Sequence, residues 1–115
     1  MAGITMFRGK DAEIEIHFLE DNVAKNLTGA TKFTVEFFSG YTDTTAAYDW
    51  DSVAEAASFD ITDVATGVVV FTLTAAQTTA VAAGEYWIVV SVTTADYPTG
   101  LPWQVTKFDH TVLFY

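Results

Sequence analysis

Two short apolar runs constrain the fold of this chain more than any other feature. Val68–Leu73 and Tyr86–Val92 are rich in β-branched and aromatic residues, and the connection Thr74–Gly84 between them consists mainly of small residues. A transmembrane helix needs about 20 apolar residues, whereas short runs of this composition, bounded by turn residues, are typical of buried strands. The sequence therefore predicts two central strands of an antiparallel β-sandwich.

Alternating patterns predict the strands around this pair. In Ala12–Leu19 and Lys32–Phe38 apolar and polar residues alternate, which predicts strands with one buried and one solvated face. A short strand is expected within Ser58–Thr62 and a final strand over Gln104–Tyr115. With a turn signal about every 10 residues, the chain is predicted to be all-β, a sandwich of about seven strands.

The connections carry their own signals. Asp63–Gly67 is predicted to be a hairpin loop in which Gly67 takes positive φ. Thr74–Ala83 is too short and too rich in threonine for a long helix, and predicts a single helical turn crossing between the sheets. Tyr86 follows at the start of a strand, where a tyrosine hydroxyl commonly bonds back to nearby backbone in immunoglobulin-like sandwiches.

Large aromatic residues are concentrated in two long connections. Ser39–Ala57 predicts a partly ordered excursion ending in a helical turn at Ser52–Ala57, and Ala95–Trp103 contains both prolines. Aromatic rings on loops indicate contact with a partner, although Trp50 and Trp103 could instead fold back to cap the sandwich. An apolar edge strand ending in Phe114 and Tyr115 is a further candidate contact. The predicted partner-binding residues are Tyr48, Trp50, Tyr97, Trp103, Phe114 and Tyr115.

Length and charge limit the classes of function. The 115 residues predict one domain spanning residues 1–115, with no membrane segment. Five Lys and Arg against fifteen Asp and Glu give a net charge of −10, which argues against direct nucleic-acid binding. The acidity suits either solubility at high copy number or docking onto a basic surface. From MAGITMFRGK we expect a complete gene product without a secretion signal.

Few residues suggest chemistry. No serine lies in a Gly-x-Ser-x-Gly setting, and there is no cysteine. His17 and His110 could meet across a sheet and bind a metal, but half-exposed strand histidines are the favoured interpretation. Asp49, Asp51 and Glu55 have the carboxylate density of a calcium loop without its glycine turn, which favours a solvated acidic loop. We therefore expect no cofactor, no metal and no enzymatic activity.

Several motifs together resemble a known family. They are RGK-x-A-E-I-E-I-x-F, N-L-T-G-A-T-x-F-T-V, D-I-T-D-x-A-T-G-V-V-x-F-T-L-T-A-A-Q-T and A-G-E-Y-W-I-V-V. With them the chain from Phe7 to about Thr94 resembles the immunoglobulin-like domain of bacteriophage structural proteins. It is most similar to the N-terminal domain of upper baseplate proteins and to small head or tail accessory proteins. The long Ser39–Ala57 segment and the elaborated Tyr97–Trp103 loop depart from the usual pattern.

The resemblance implies an immunoglobulin-like antiparallel β-sandwich and a role in the virion, assembled in the host cytoplasm. We expect a capsid decoration or cement protein, because no fibre or receptor-binding region follows the domain. Its partner would be the major capsid protein or another virion protein, and it would act as a homo-oligomer or in many copies. A tail, baseplate or neck adaptor is the alternative. A carbohydrate-binding module, with aromatic rings stacking on sugars, is the rival from another class.

Overall fold

The computed structural model describes residues 2–20, 23–40, 42–93, 101–102 and 110–115, and these are mostly β-structure. The described strands are β1 (Ala2–Met6), β2 (Ala12–His17), β3 (Leu19–Glu20), β4 (Val23–Ala24), β5 (Lys32–Phe38), β6 (Tyr48–Asp51), β7 (Phe59–Asp60), β8 (Val68–Leu73), β9 (Gly84–Thr93), β10 (Leu101–Pro102) and β11 (His110–Phe114). One α-helix, α1 (Ala75–Ala80), and two 3₁₀ turns, Ala56–Ser58 and Val64–Thr66, complete the described elements.

The larger sheet has the strand order β1-β11-β9-β5-β6, with β10 also paired to β9. All of its pairs are antiparallel except β1 with β11, which run parallel with Met6 opposite Phe114. The predicted strand over Lys32–Phe38 is confirmed as β5, and it lies beside β9 with Phe37 opposite Ile88. The first and last described strands therefore lie side by side in the same sheet.

The smaller sheet has the order β2-β8-β7, and both of its pairs are antiparallel. Its strands confirm the predictions in Ala12–Leu19, Ser58–Thr62 and Val68–Leu73, although the first two are shorter than the predicted ranges. A separate two-stranded hairpin, β3-β4, follows β2.

The inner faces of the two sheets share one apolar core. Val69 and Phe71 of the smaller sheet are fully buried, as are Val35 and Phe37 of the larger one. These residues belong to one contiguous cluster, since period-2 alternation turns every second side chain of each strand inward. The sequence pattern of the central strands thus determines the packing between the sheets.

Two predicted connections are confirmed. Gly67 has φ 75° at the end of the β7-β8 hairpin loop, where a residue without Cβ is favoured. The helical turn predicted in Thr74–Ala83 is α1, which connects β8 of one sheet to β9 of the other. Its start is fixed by a capping box between Thr74 and Gln77, each of which bonds the other's backbone N–H.

Four details of the prediction need correction. Ser39–Ala57 is not only an excursion, since it contains β6, and its final turn extends as a 3₁₀ turn to Ser58. Leu101–Pro102, predicted as loop, pairs with β9. The last strand is not a sheet edge, because β11 lies between β1 and β9. β1 was not predicted, because a first strand that pairs in parallel with the last has no local sequence signal.

Candidate partner-binding surface

Tyr48 and Trp50 lie on β6 and not in a loop. The alternation Tyr-Asp-Trp-Asp turns the rings inward and the carboxylates outward. Trp50 is only 9% exposed, and its ring centroid lies 5.0 Å from that of Phe37 and 5.4 Å from that of Phe71. Trp50 therefore joins the two sheets, as in the interpretation that it folds back into the sandwich, and offers a partner little surface.

Tyr48 and Tyr86 bond the same stretch of backbone. The Tyr86 hydroxyl donates to the Ala82 carbonyl at 2.7 Å, and the Ala82 N–H donates to the Tyr48 hydroxyl at 3.1 Å. The two ring centroids are 5.7 Å apart. Burial raises the pKa of Tyr86, and the neighbouring Tyr48 raises it further. The predicted backbone bond of Tyr86 is confirmed, and both tyrosines hold the connection from α1 into β9.

Phe114 and Tyr115, adjacent in sequence, occupy opposite environments. Phe114 is 1% exposed, and its ring packs against those of Phe37 and Tyr86. Tyr115 is 62% exposed, and its ring stacks on that of Phe7, which is 57% exposed, at a centroid distance of 5.6 Å and an angle of 22°. Phe7 and Tyr115 form an exposed aromatic pair, whereas Phe114 belongs to the core.

Backbone hydrogen bonds join the two segments that carry the aromatic pair. Because Met6 lies opposite Phe114 in the parallel register, the next residues, Phe7 and Tyr115, become neighbours. The Tyr115 N–H donates to the Met6 carbonyl at 3.1 Å, and the Arg8 N–H donates to the Tyr115 carbonyl at 3.2 Å. Sequence reasoning missed Phe7 because this proximity depends on the parallel pairing of β1 and β11.

Arg8 fastens the same segment to α1. Its guanidinium donates to the carbonyls of Val81 at 2.7 Å and Thr79 at 2.9 Å, at the C-terminal end of the helix. Nearby, the fully buried Thr78 hydroxyl accepts the Gly9 N–H at 3.1 Å. Hydrogen bonds therefore hold the backbone that carries the aromatic pair, and this lowers the conformational entropy that would be lost when a partner binds.

Two predicted contact residues, Tyr97 and Trp103, lie outside the described residues. The same is true of Tyr41, the other loop aromatic. Their role stays a prediction. Of the six predicted residues, Tyr115 alone is described as exposed, and the structure adds Phe7 beside it.

The acidic segment around Asp51 organises a turn. One Asp51 carboxylate oxygen accepts the N–H groups of Ala54 at 2.7 Å and Val53 at 2.9 Å. These bonds, chiefly the one from Ala54, lower the pKa of the Asp51 carboxyl despite partial desolvation, and Lys32 lowers it further. The carboxylate is thus engaged by its own backbone, as in other Asx turns.

The two histidines considered from sequence as a possible metal-binding pair lie on different sheets. His17 is on β2 of the smaller sheet, and His110 is on β11 of the larger one. The His17 ring nitrogen Nε2 lies 2.6 Å from Glu15 Oε1, and both side chains are more than half exposed. Within the described ranges no group of three or more His, Cys, Asp or Glu side chains is placed to hold a metal ion.

Two shallow grooves cross the described surface. One, of about 450 Å³, is lined by Asp11, Ala12, Glu13, Thr72, Leu73 and Thr74. The other, of about 280 Å³, is lined by Ala47, Tyr48, Asp49, Trp50, Gln77, Ala80 and Val81. The second places two aromatic residues beside polar side chains, but the rings of Tyr48 and Trp50 are largely occupied by contacts within the protein.

In the part of the chain that is described, no helix has the length and apolar character needed to cross a membrane. The sequence matches no protein-family model and no curated protein.

Proposed function

We propose that the two packed sheets form an immunoglobulin-like sandwich in a single domain. In immunoglobulin domains one sheet contains strands B, E and D, and the other contains G, F and C with C′ added in variable types. If the strands are lettered in chain order, β2-β8-β7 corresponds to B-E-D, and β11-β9-β5-β6 corresponds to G-F-C-C′. The hydroxyl bond from Tyr86 near the start of β9 resembles the tyrosine corner of strand F.

We propose further that this domain is a non-enzymatic bacteriophage virion protein that decorates or cements the capsid. The family resemblance of the turn and strand motifs supports the virion, and the exposed aromatic pair supports adhesion. The pair is the observation that carries the proposal, because two large rings at 57% and 62% exposure gain little in an isolated chain. Aromatic residues on an ordered platform are the usual energetic centre of a protein interface.

Many weak contacts would then act together. A single pair of rings buries limited area, so each copy would hold the shell modestly, and repeated contacts with the shell and with sibling copies would add avidity. The net charge of −10 keeps free copies soluble before assembly. Tyr97 and Trp103 stay candidates for the same contact.

Shells purified without the protein test this proposal. The wild-type chain should bind them, and the double variant Phe7→Ala/Tyr115→Ala should bind at least about tenfold more weakly, since loss of a central aromatic costs more than about 1 kcal/mol. Affinity is measured by co-sedimentation at increasing protein concentration. Val23→Ala/Val53→Ala is the matched control, because these side chains are 66% and 69% exposed but lie elsewhere.

The outcomes separate the surface from the role. Failure of the wild-type chain to bind shells would refute the capsid decoration role, and its absence from purified particles would refute any role in the virion. Equal binding by both double variants would refute the aromatic pair as the contact surface. Circular dichroism of each variant establishes that its fold is retained.

The alternatives differ in stoichiometry and in ligand. On the order of hundreds of copies per particle fits decoration, whereas about six or twelve fits a tail, baseplate or neck ring. Quantitative mass spectrometry of intact particles gives this ratio. A carbohydrate-binding module would show glycan-dependent quenching of tryptophan fluorescence, and the groove beside Tyr48 and Trp50 is where a sugar would bind.

A further inference from the structure

In the described part of the chain, the outer edge of β2 has no neighbouring strand. β2 is the first strand of the smaller sheet, and among the described residues only β8 pairs with it. It is six residues long, whereas β7 at the opposite edge of that sheet has two. Long open edges present unpaired N–H and C=O groups to which another strand can add.

The register identifies which backbone groups point outward. The Phe18 N–H donates to the Gly67 carbonyl at 2.7 Å, which continues the β2-β8 register by one residue. In an antiparallel pair, inward and outward backbone groups alternate along the strand. Ile14 and Ile16 therefore direct their N–H and C=O groups to β8. The residues with outward groups are Glu13, Glu15 and His17.

The two glutamates among them, Glu13 and Glu15, give this edge an acidic surface, and Glu15 Oε1 lies 2.6 Å from His17 Nε2. Their side chains are exposed, while those of Ile14 and Ile16 face the core side. The groove of about 450 Å³ at the start of the strand adds the carboxylate-bearing Asp11 to its lining, beside Glu13. An incoming strand would thus meet backbone hydrogen-bonding groups and negative charge together.

Charge decides between the possible occupants. A second copy of this chain pairing antiparallel through β2 would bring glutamates against glutamates, which destabilises a strand pair. A segment with Lys or Arg at alternate positions would place cations beside Glu13 and Glu15. We propose that the β2 edge accepts an extended, basic segment of a partner protein as an added strand. This proposal does not depend on the virion role.

A synthetic peptide tests the edge directly. A peptide of about six residues with alternating Lys and Val, blocked at both ends, is added to the full ¹⁵N-labelled chain, and amide exchange is followed by NMR. In the free protein the amides of Glu13, Glu15 and His17 should exchange rapidly and those of Ile14 and Ile16 slowly. The peptide should slow the three outward amides at least about tenfold and leave the inward two unchanged. A peptide with Glu in place of Lys should have no effect.

Charge reversal supplies the second measurement. Glu13→Lys/Glu15→Lys should weaken binding of the Lys peptide at least about tenfold in a fluorescence-anisotropy titration. The matched control, Asp49→Lys/Glu85→Lys, makes the same change in net charge at exposed positions of the larger sheet and should bind like the wild type.

Three results would overturn the proposal. An equal loss of affinity in both double variants would show that peptide binding follows the net charge of the protein and not the charge of the β2 edge. Unchanged exchange of the outward amides under saturating peptide would exclude strand addition. Protection of those amides in concentrated protein without peptide, together with a dimer in sedimentation, would assign the edge to a second copy.

Discussion

At the scale of single residues, the hydroxyl of Tyr86 joins a strand of the larger sheet to the backbone just before it. It lies in a side chain that is 6% exposed and donates to the Ala82 carbonyl at 2.7 Å. Tyr86→Phe leaves that carbonyl without the bond, and we expect a loss of about 1–2 kcal/mol in unfolding free energy. Urea denaturation measures the loss. Tyr115→Phe, at an exposed site, is the control and should stay within about 0.5 kcal/mol of the wild type.

The same hydroxyl gives a dependence on alkaline pH. Burial raises the pKa of Tyr86 above its usual 10.0, so the unfolded chain ionises first as pH rises. The contribution of the neutral Tyr86 hydroxyl to the unfolding free energy is fully present below about pH 10. It is lost as pH rises through the pKa of Tyr86 in the folded state. Urea midpoints from about pH 8 to about pH 11 should therefore fall less steeply in Tyr86→Phe than in the wild type. Parallel curves would contradict this assignment.

At the scale of elements, Gly67 docks the hairpin loop of β7 and β8 against the segment that carries β3 and β4. A Cβ at Gly67 would lie 2.7 Å from the carbonyl oxygens of both Phe18 and Lys25. Gly67→Ala therefore combines a steric clash with backbone and the cost of positive φ, and should lower the unfolding free energy by about 2 kcal/mol or more.

Gly29→Ala is the matched control for that substitution. Gly29 has φ 93°, but a Cβ there meets nothing within 4 Å. It should cost about 1 kcal/mol from the backbone conformation alone. Urea denaturation of the two variants separates the steric clash from the cost of positive φ. Equal losses of unfolding free energy would show that the contact with the β3-β4 segment contributes nothing.

Elements were predictable where the signal is local. β5, β8 and β9 carry alternation or β-branched runs over at least six residues, and the start of α1 carries the Thr74–Gln77 capping box. β6 was missed, although Tyr48 and Trp50 alternate with aspartates, because four residues between turn-forming segments do not distinguish a strand from a loop. The burial of Trp50 follows from contacts with Phe37 and Phe71, which lie on other strands.

The candidate surface was less predictable than the strands. Tyr115 was selected as an apolar chain end, but its stacking partner Phe7 lies more than 100 residues away in sequence and meets it only through the β1-β11 register. Phe114 was selected for the same reason and proves to be core, because its ring faces the space between the sheets and packs against Phe37 and Tyr86. Exposure depends here on strand order, which local patterns do not specify.

At the scale of the whole molecule, the parallel pair of β1 and β11 makes the larger sheet depend on the far ends of the described chain. β1 contributes Met6, 3% exposed, and Ile4 to the core, and it covers one edge of β11. Deletion of residues 1–7 should therefore lower the unfolding free energy by about 3 kcal/mol or more. It should also expose the β11 edge and promote self-association. Urea denaturation measures the first effect and light scattering after size exclusion the second.

Phe7→Ala distinguishes the strand from its exposed neighbour. This variant keeps β1 and Met6 but removes the ring that stacks on Tyr115, so its mass in light scattering should equal that of the wild type, and it should lose no more than about 0.5 kcal/mol of unfolding free energy. If the deletion behaved like Phe7→Ala, β1 would be an appendage that the core does not need. If Phe7→Ala lost as much stability as the deletion, the aromatic pair would be part of the folding core, and its loss could not be used to test binding to a shell.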